Sequence, residues 1–419
     1  MVDGRTVTAI RFRRDVARQS TGLALFAKRL PWWLKVTLIF LLGRAITTAL
    51  LYWMIAIEGA NPWTVAHPGY LDFANIWDGR WYEIVALAGY PDTLTVGYSG
   101  HIAQNAWAFL PGYPAVVRGV MSATGLSWQA AAVGVSVVFG YAATLLFFKL
   151  MRLRLNPSTA LHATLLFCVT PVSALFQVAY AESMYTFLLV ALLYLVLRRR
   201  YWWSIPVIVI AAFTRPGGLA VALFLGLHVA VRFWRRRREP FGATQIAGSL
   251  LATAFALTSG VAWPLIASWV TGIPGAYMQT ELAWRASYIG WVELTPFTSW
   301  FQAAGWWFTV WLGLSAWVGW VVVGLLVVLF ATVLFLPSVV RLGTDIRLWL
   351  AAYAAYLLAV WFPQSSTFRV LLPMFPLAGA IAQPRSVWYR LGMVVASVAG
   401  QLGWLLLCWT IGANDWSPP

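Results

Sequence analysis

Apolar residues recur along the chain in runs rather than in alternation. Residues 321–335, for example, are apolar at almost every position, which excludes the period-two pattern of a barrel strand. Eleven such runs stand out, at residues 36–57, 126–149, 158–177, 183–197, 202–213, 217–231, 245–269, 308–336, 347–361, 370–384 and 391–411. A helix crosses the hydrocarbon core in roughly 20 residues, so the pattern predicts an all-α polytopic membrane protein with about this many transmembrane helices. The fifth and sixth runs are short, and residues 214–218 between them predict a broken or re-entrant element. A single transmembrane domain over residues 36–411 is expected, after a basic segment at 1–35 and before a tail at 412–419. No internal repeat or low-complexity stretch interrupts it.

Composition sharpens this picture. Of the 419 residues, 61% are apolar or aromatic and 10% charged, with mean hydropathy +0.74, whereas a soluble domain carries about 25% charged residues. The net charge of +16 would suit a nucleic-acid binder, but its placement argues against one. Lys and Arg gather in the short segments 1–35, 149–154, 198–200, 232–238, 341–347 and 385–390, between apolar runs. Under the positive-inside rule these segments are cytoplasmic. Most acids (Glu58, Asp72, Asp78, Glu83, Asp92, Glu182, Glu281, Glu293 and Asp415) then fall on the other side. The expected topology has a cytoplasmic N-terminus, an external C-terminus and a plasma-membrane location. The first run lacks a small-residue cleavage site and reads as a retained span. Cys168 and Cys408 both lie within apolar runs, so no disulfide framework is implied. The 235–238 arginine run reads as an anchor to anionic lipid, and the 27 Trp residues chiefly mark membrane interfaces.

Two external segments, 58–125 and 270–307, are long and rich in Trp, Tyr, Pro and Gly. Such segments suit interfacial helices, and loops of this length usually carry function. The first contains Asn75-Ile76-Trp77-Asp78-Gly79-Arg80-Trp81-Tyr82-Glu83, then Gly89-Tyr90-Pro91, then Phe109-Leu110-Pro111-Gly112-Tyr113-Pro114. A carboxylate partly desolvated near the interface is a stronger base, which makes Asp78 a candidate general base. Gly79 would let a substrate approach, and the indole of Trp77 offers a face for a sugar ring. Against this stand a plain ion pair of Asp78 with Arg80 and a helix-capping role. Asp72 is a rival base, and Glu83 lies at a spacing that would make it a partner.

These motifs resemble the PIG-V family, the second mannosyltransferase of GPI-anchor synthesis, together with its bacterial relatives. The resemblance rests on Trp77-Asp78-Gly79-x-Trp81-Tyr82 with the later Gly-Tyr-Pro and Phe109/Pro111/Pro114. It continues through Pro171-Val172-Ser173 with Tyr180-Ala181-Glu182-Ser183, then Thr214-Arg215-Pro216-Gly217-Gly218, then Arg369 with Pro373. Gly79 and Trp81-Tyr82 stand where eukaryotic members carry an Ala and a His-Phe pair, so the acceptor need not be a GPI precursor. The resemblance implies a GT-C glycosyltransferase with an external active site and a polyprenyl-phosphate sugar as donor. Its implied activity is inverting transfer of a sugar, mannose by family, to an external lipid or glycan acceptor, with Asp78 as base.

Charge develops on the departing phosphate and calls for cations, for which Arg215, Arg285 and Arg369 are the candidates. Glu182 would bind acceptor hydroxyls or pair with Arg215. Asp72, Arg80, Glu83, Trp77 and Tyr180 complete the residues expected at the substrates. Tyr277, Glu281, Trp284 and Arg285 share a helical face that would line the cleft or lie as an interfacial aromatic helix. Arg44, inside the first run, has no assignable role. His67 and His101 are isolated, so no metal or other cofactor is expected, a single divalent ion between Asp72 and Asp78 being the alternative. The expected partners are the lipid-linked donor, the acceptor and membrane lipids. Two competing functions fit the topology: a lipid-linked sugar flippase or transporter, and an external glycan polymerase. Paired repeats with mid-membrane polar residues would favour the transporter, and the two halves of this chain do not mirror one another.

Overall fold

A computed structural model describes residues 29–410. Most of the 1–35 basic segment and the expected tail at 412–419, with Asp415, lie outside the described residues. The described chain is helical, and its one β feature is an isolated bridge between Val96 and Ile102. Its helices of eight or more residues are α1 (Trp32–Ile57), α2 (Asp78–Ala88), α3 (Gly112–Thr124), α4 (Trp128–Arg152), α5 (Pro157–Cys168), α6 (Glu182–Leu197), α7 (Tyr201–Ala212), α8 (Gly218–Trp234), α9 (Ala243–Thr271), α10 (Ala276–Ile289), α11 (Ser299–Trp306), α12 (Ala316–Val333), α13 (Thr344–Val360) and α14 (Val387–Trp404). Five helices are long and apolar enough to cross a membrane: α1, α4, α9, α12 and the Val387–Trp409 helix that extends α14. The protein is an integral membrane protein.

Burial sorts the helices into layers. α6 is apolar on all sides and buried along nearly its whole length, as a helix at the centre of a bundle must be. α4 packs along it, and Gly140 on α4 admits the Phe176 side chain. α8 and α9 touch backbone to backbone, since a Cβ on Gly218 would meet the Gly260 Cα at 2.5 Å. α12, by contrast, buries only Gly319 and Val323, leaving Leu325, Val328 and Leu329 exposed on the surface that lipid would cover.

Three expected spans are not continuous helices. The 158–177 run is helical only to Cys168 and continues as irregular backbone with a 3-10 turn at Ser173–Phe176. Pro171 supplies no amide to extend the helix. The 370–384 run breaks into Thr367–Val370, a 3-10 turn at Leu372–Met374 and Leu377–Ile381, for which Pro373 and Pro376 are the cause. The 308–336 run is helical from Ala316, after a π-turn at Trp307–Trp311 and a left-handed Gly313 (φ +62°). The predicted interruption at 214–218 is present as the turn between α7 and α8.

The break after α5 leaves residues 172–181 buried with few helical hydrogen bonds of their own. Backbone of this kind survives at membrane depth only when the protein itself satisfies it. Arg44 on α1 does much of this, donating to the carbonyls of Ser173 (2.7 Å) and Cys168 (2.9 Å) and to Gln177 Oε1 (3.0 Å). Tyr70 donates to Gln177 O (3.0 Å), Ser136 to Tyr180 O (3.1 Å), and the Ala179 amide to Ala74 O (2.9 Å). Gln401 on α14 donates to the Ser173 hydroxyl at 2.5 Å. The segment is thereby tied to three helices and delivers Tyr180 and Glu182 to one place.

The connections gather at two ends. Arg199 pairs with Glu239 (3.8 Å) and Asp345 (3.5 Å), Arg235 donates to Thr344 (3.4 Å), and Arg341 donates to Gln383 (3.3 Å). These contacts unite the basic segments at one end. At the other, Asn105 donates to Thr280 (2.9 Å) and Trp81 meets Trp284 edge-on (5.6 Å), uniting the two long loops. Single cysteines test the orientation, because Cys168 and Cys408 are buried. Tyr98→Cys should react with a membrane-impermeant maleimide on intact cells and Arg237→Cys only after lysis; the reverse pattern would invert the topology. Arg44→Leu strands two carbonyls and the Gln177 amide oxygen, and each stranded group costs about 1–3 kcal/mol. Its melting temperature in detergent should fall by many degrees, and an unchanged melt would show that the buried segment has other support.

Candidate active site

Asp78 opens α2, and its placement begins one residue earlier. Trp77 has φ +57°, a conformation that costs a bulky side chain energy unless the surroundings hold it. Here the indole is buried and donates to the Trp409 carbonyl (3.2 Å), while Trp409 donates to Phe73 O (3.2 Å). The Asp78 amide, free of any helical partner at the first position, donates to the Tyr180 hydroxyl (3.2 Å). Gly79 follows because a Cβ there would lie 2.9 Å from Asn75 Oδ1 and 3.4 Å from Ala179. The room at Gly79 is therefore filled by protein and is not an approach for substrate.

Four charged side chains from four separate segments converge. Asp78 Oδ2 accepts from Arg369 and lies 3.5 Å from Arg215 Nη1. Glu182 Oε1 lies 3.2 Å from both Arg215 Nη2 and Arg369 Nη1. Arg215 also donates to Tyr82 Oη (3.0 Å), and the Arg369 guanidinium sits 5.5 Å from the centre of the Tyr180 ring. The side chains are 4–16% exposed, so each charge is largely removed from water and depends on its partner. Glu182 gains further from its seat at the N-terminus of α6, where the helix dipole favours a negative charge. Two carboxylates and two guanidiniums leave the cluster formally neutral.

A cleft of about 540 Å³, counting its open mouth, adjoins this cluster. Arg215, Arg369 and Glu182 form its polar wall, while Leu357, Val360 and Val370 are among its apolar lining.

The remaining expected residues fall elsewhere. Arg80 pairs with Glu83 (3.2 Å) rather than with Asp78, and Glu83 also accepts from Asn75 (2.8 Å). This pair braces the loop. Asp72 is exposed on the short Tyr70–Phe73 helix and takes no part in the ion pairs among the described residues. Arg285 turns away, donating to Val292 O and lying 3.5 Å from Ser299 Oγ, with its guanidinium 5.8 Å from the Phe362 ring centre. Trp77 is buried as a strut and offers no open face to a ligand. Tyr180 is wholly buried and acts on Asp78 through its backbone amide. No group of three His, Cys, Asp or Glu side chains that could hold a metal ion occurs among the described residues.

Two further groups join the site. Tyr82 follows Asp78 by four residues and so shares its helical face; that spacing is the signal that could have found it. Glu281 comes from α10, which docks on the acidic motif through Trp284 against Trp81 and through Thr280 bonded to Asn105. Tyr277 and Glu281 are hydrogen-bonded, and Glu281 feels the charges of Arg215, Asp78 and Arg369. Burial pushes its carboxyl up from 4.5 to about 7, with the Tyr277 bond and Arg215 acting against the shift and Asp78 adding to it.

A carboxyl raised in the folded state penalises folding once it ionises. Below 4.5 Glu281 is protonated folded and unfolded, and the penalty grows from there until about pH 7, where it levels off. The melting temperature of the protein relative to Glu281→Gln should therefore fall between pH 4.5 and 7 and hold steady above. A difference independent of pH would overturn the assignment.

The family model described as Mannosyltransferase (PIG-V) matches residues 69–262. No curated protein matches the chain. Among solved structures, ArnT from Cupriavidus metallidurans bound to undecaprenyl phosphate is similar, with TM-score 0.47 and 17% sequence identity over 89% of this chain. This chain spans 66% of that protein's length. Asp78, Tyr82, Glu182 and Arg215 all lie inside the matched residues, whereas Arg369 and Glu281 lie beyond them. The resemblance carried by the acidic motif, the Tyr-Ala-Glu-Ser segment and the Thr-Arg-Pro-Gly-Gly turn is a match to the PIG-V mannosyltransferase family over the stretch that holds all three.

Proposed function

We propose that this protein is an inverting GT-C glycosyltransferase that moves a sugar, mannose by family, from a polyprenyl-phosphate carrier to a lipid or glycan hydroxyl outside the plasma membrane. The observation that carries the reading is the cluster of Asp78 and Glu182 with Arg215 and Arg369, the last three of which also line a cleft of mixed polar and apolar residues. The family match over residues 69–262 supports it.

In the transfer, the acceptor oxygen bonds to the anomeric carbon as the bond from that carbon to the phosphate oxygen breaks. The acceptor proton passes to Asp78 and then to water. The electron pair leaves with the phosphate, whose growing negative charge is met by the preorganised guanidiniums of Arg215 and Arg369. These two cations supply the charge stabilisation, and a phosphate leaving group needs no protein acid. Donor phosphate competes with Asp78 for Arg215 and Arg369, and each contact it takes frees an Asp78 oxygen to accept the acceptor's hydroxyl. The apolar wall lets the first isoprene units remain in a lipid-like environment.

Asp78→Asn keeps the shape of the side chain and removes its basicity. In proteoliposomes supplied with radiolabelled polyprenyl-phosphate sugars and membrane lipid extract, it should lower transfer by about 10²–10⁴-fold. Its melting temperature should fall, because Arg215 and Arg369 lose one of their two carboxylates, while donor phosphate should bind at least as tightly as in the wild type. Wild-type turnover by this variant would remove Asp78 from the chemistry, and substrate crossing sealed vesicles without a new glycosidic bond would favour a transporter.

A further inference from the structure

Residues that line the cleft carry polar atoms that the ion cluster does not use. Tyr185, Thr186 and Glu182 all line the cleft and are at most 5% exposed. Tyr185 Oη, Thr186 Oγ1 and Glu182 Oε2 have no hydrogen-bond partner. Thr186 departs from the habit of this chain. Thr47, Thr144, Thr164, Thr271 and Thr332 each donate to the carbonyl four residues earlier, at 2.7–3.0 Å. Thr186, in the second turn of an equally regular helix, does not. The Tyr185 hydroxyl lies so close to Gly217 that a Cβ there would come within 1.9 Å of it, so the Arg-Pro-Gly-Gly turn is shaped around this group. A buried hydroxyl or carboxylate oxygen left unpaired has lost its water without a replacement partner, and three on residues lining one cleft point to a ligand that satisfies them.

The chemistry of the three selects that ligand. Glu182 Oε1 is taken by both arginines, which leaves Oε2 as a free acceptor carrying negative charge. That atom repels a phosphate and favours a hydroxyl donor. Two hydroxyls, each able to donate or accept, stand on the same helix one turn further in. Tyr353, Tyr356 and Trp361 add aromatic faces to the walls. The match is a polyhydroxylated ring: hydroxyls directed at Glu182, Tyr185 and Thr186, and apolar C–H groups against the rings. We infer that Glu182 Oε2, Tyr185 and Thr186 form the subsite that reads the hydroxyls of the carrier-linked sugar, while Arg215 and Arg369 hold its phosphate. The inference rests on the proposed glycosyltransferase reading for the identity of the lipid, and on the unpaired polar atoms for the recognition.

Binding separates the two claims. In detergent micelles, the protein should bind undecaprenyl-phosphate mannose more tightly than undecaprenyl phosphate without sugar. Tyr185→Phe and Thr186→Val each delete one hydroxyl at nearly constant volume. Each should reduce the preference for the sugar-bearing lipid by about 10-fold or more, leaving affinity for the bare lipid unchanged. Thr186→Ser, which restores a hydroxyl, should restore the preference, and this excludes simple loss of packing. Equal wild-type affinity for the two lipids overturns the subsite, whether or not transfer is detected. A preference that survives both hydroxyl deletions, or bare-lipid affinity that falls in parallel with it, overturns it as well. A preference lost in the variants without any wild-type sugar transfer would sustain the subsite and defeat the transferase reading alone.

Discussion

Backbone that leaves a helix inside an apolar interior must find hydrogen-bond partners within the protein, and this constraint organises the molecule. Residues 172–181 lack the self-sufficiency of a helix, yet they are buried between α1, α4 and α14. Arg44 meets the cost with a guanidinium whose donors reach the carbonyls of Cys168 and Ser173. A continuous helix over 158–177 would have carried Tyr180 and Glu182 to a different face. The break instead sets the Tyr180 hydroxyl against the Asp78 amide and starts α6 at Glu182. A structural arginine thus lies beneath the placement of the catalytic candidates.

The ion cluster follows the same economy. Isolated charges at this burial would be untenable, and the four side chains are mutually compensating. Their neutrality also makes the cluster responsive: an arriving anion draws on the arginines at the expense of the carboxylates. Arg215 is held in a turn between two short helices and Arg369 on a four-residue helix between proline-broken pieces. In both cases a span that fails to run straight leaves a charged group at the edge of the bundle with backbone around it shaped to receive a ligand. Such interruptions read as defects in hydropathy, and here they carry the candidate chemistry.

The second long loop closes the site from the other side. α10 rests on the acidic motif by an aromatic contact between Trp284 and Trp81, and it brings Glu281 within range of Asp78 and both arginines. Arg285, one residue beyond Trp284, points instead into its own loop. Glu281 and Arg285, four residues apart, start from one helical face, and it is the Arg285 side chain that reaches away, to the Val292 carbonyl and Ser299.

Much was legible in the residues themselves. Bilayer length and the segregation of Arg and Lys from Asp and Glu determine a helical membrane protein with two chemically distinct ends, because solvation energies of this size leave a chain no other choice. The order of short motifs put Asp78, Glu182, Arg215 and Arg369 among the candidates, beside Asp72, Arg80, Glu83 and Arg285, which lie outside the ion cluster. Pairing was not legible. Which carboxylate meets which guanidinium is a matter of long-range packing, and Arg80 was as near to Asp78 in sequence as any cation yet bonds Glu83. Helix continuity at 158–177 and 370–384 was misjudged because apolarity favours burial without saying whether the buried backbone is helical. Only the tertiary structure decided that, through Arg44, Gln177 and Gln401, whose donors lie far along the chain from the carbonyls and hydroxyls they satisfy.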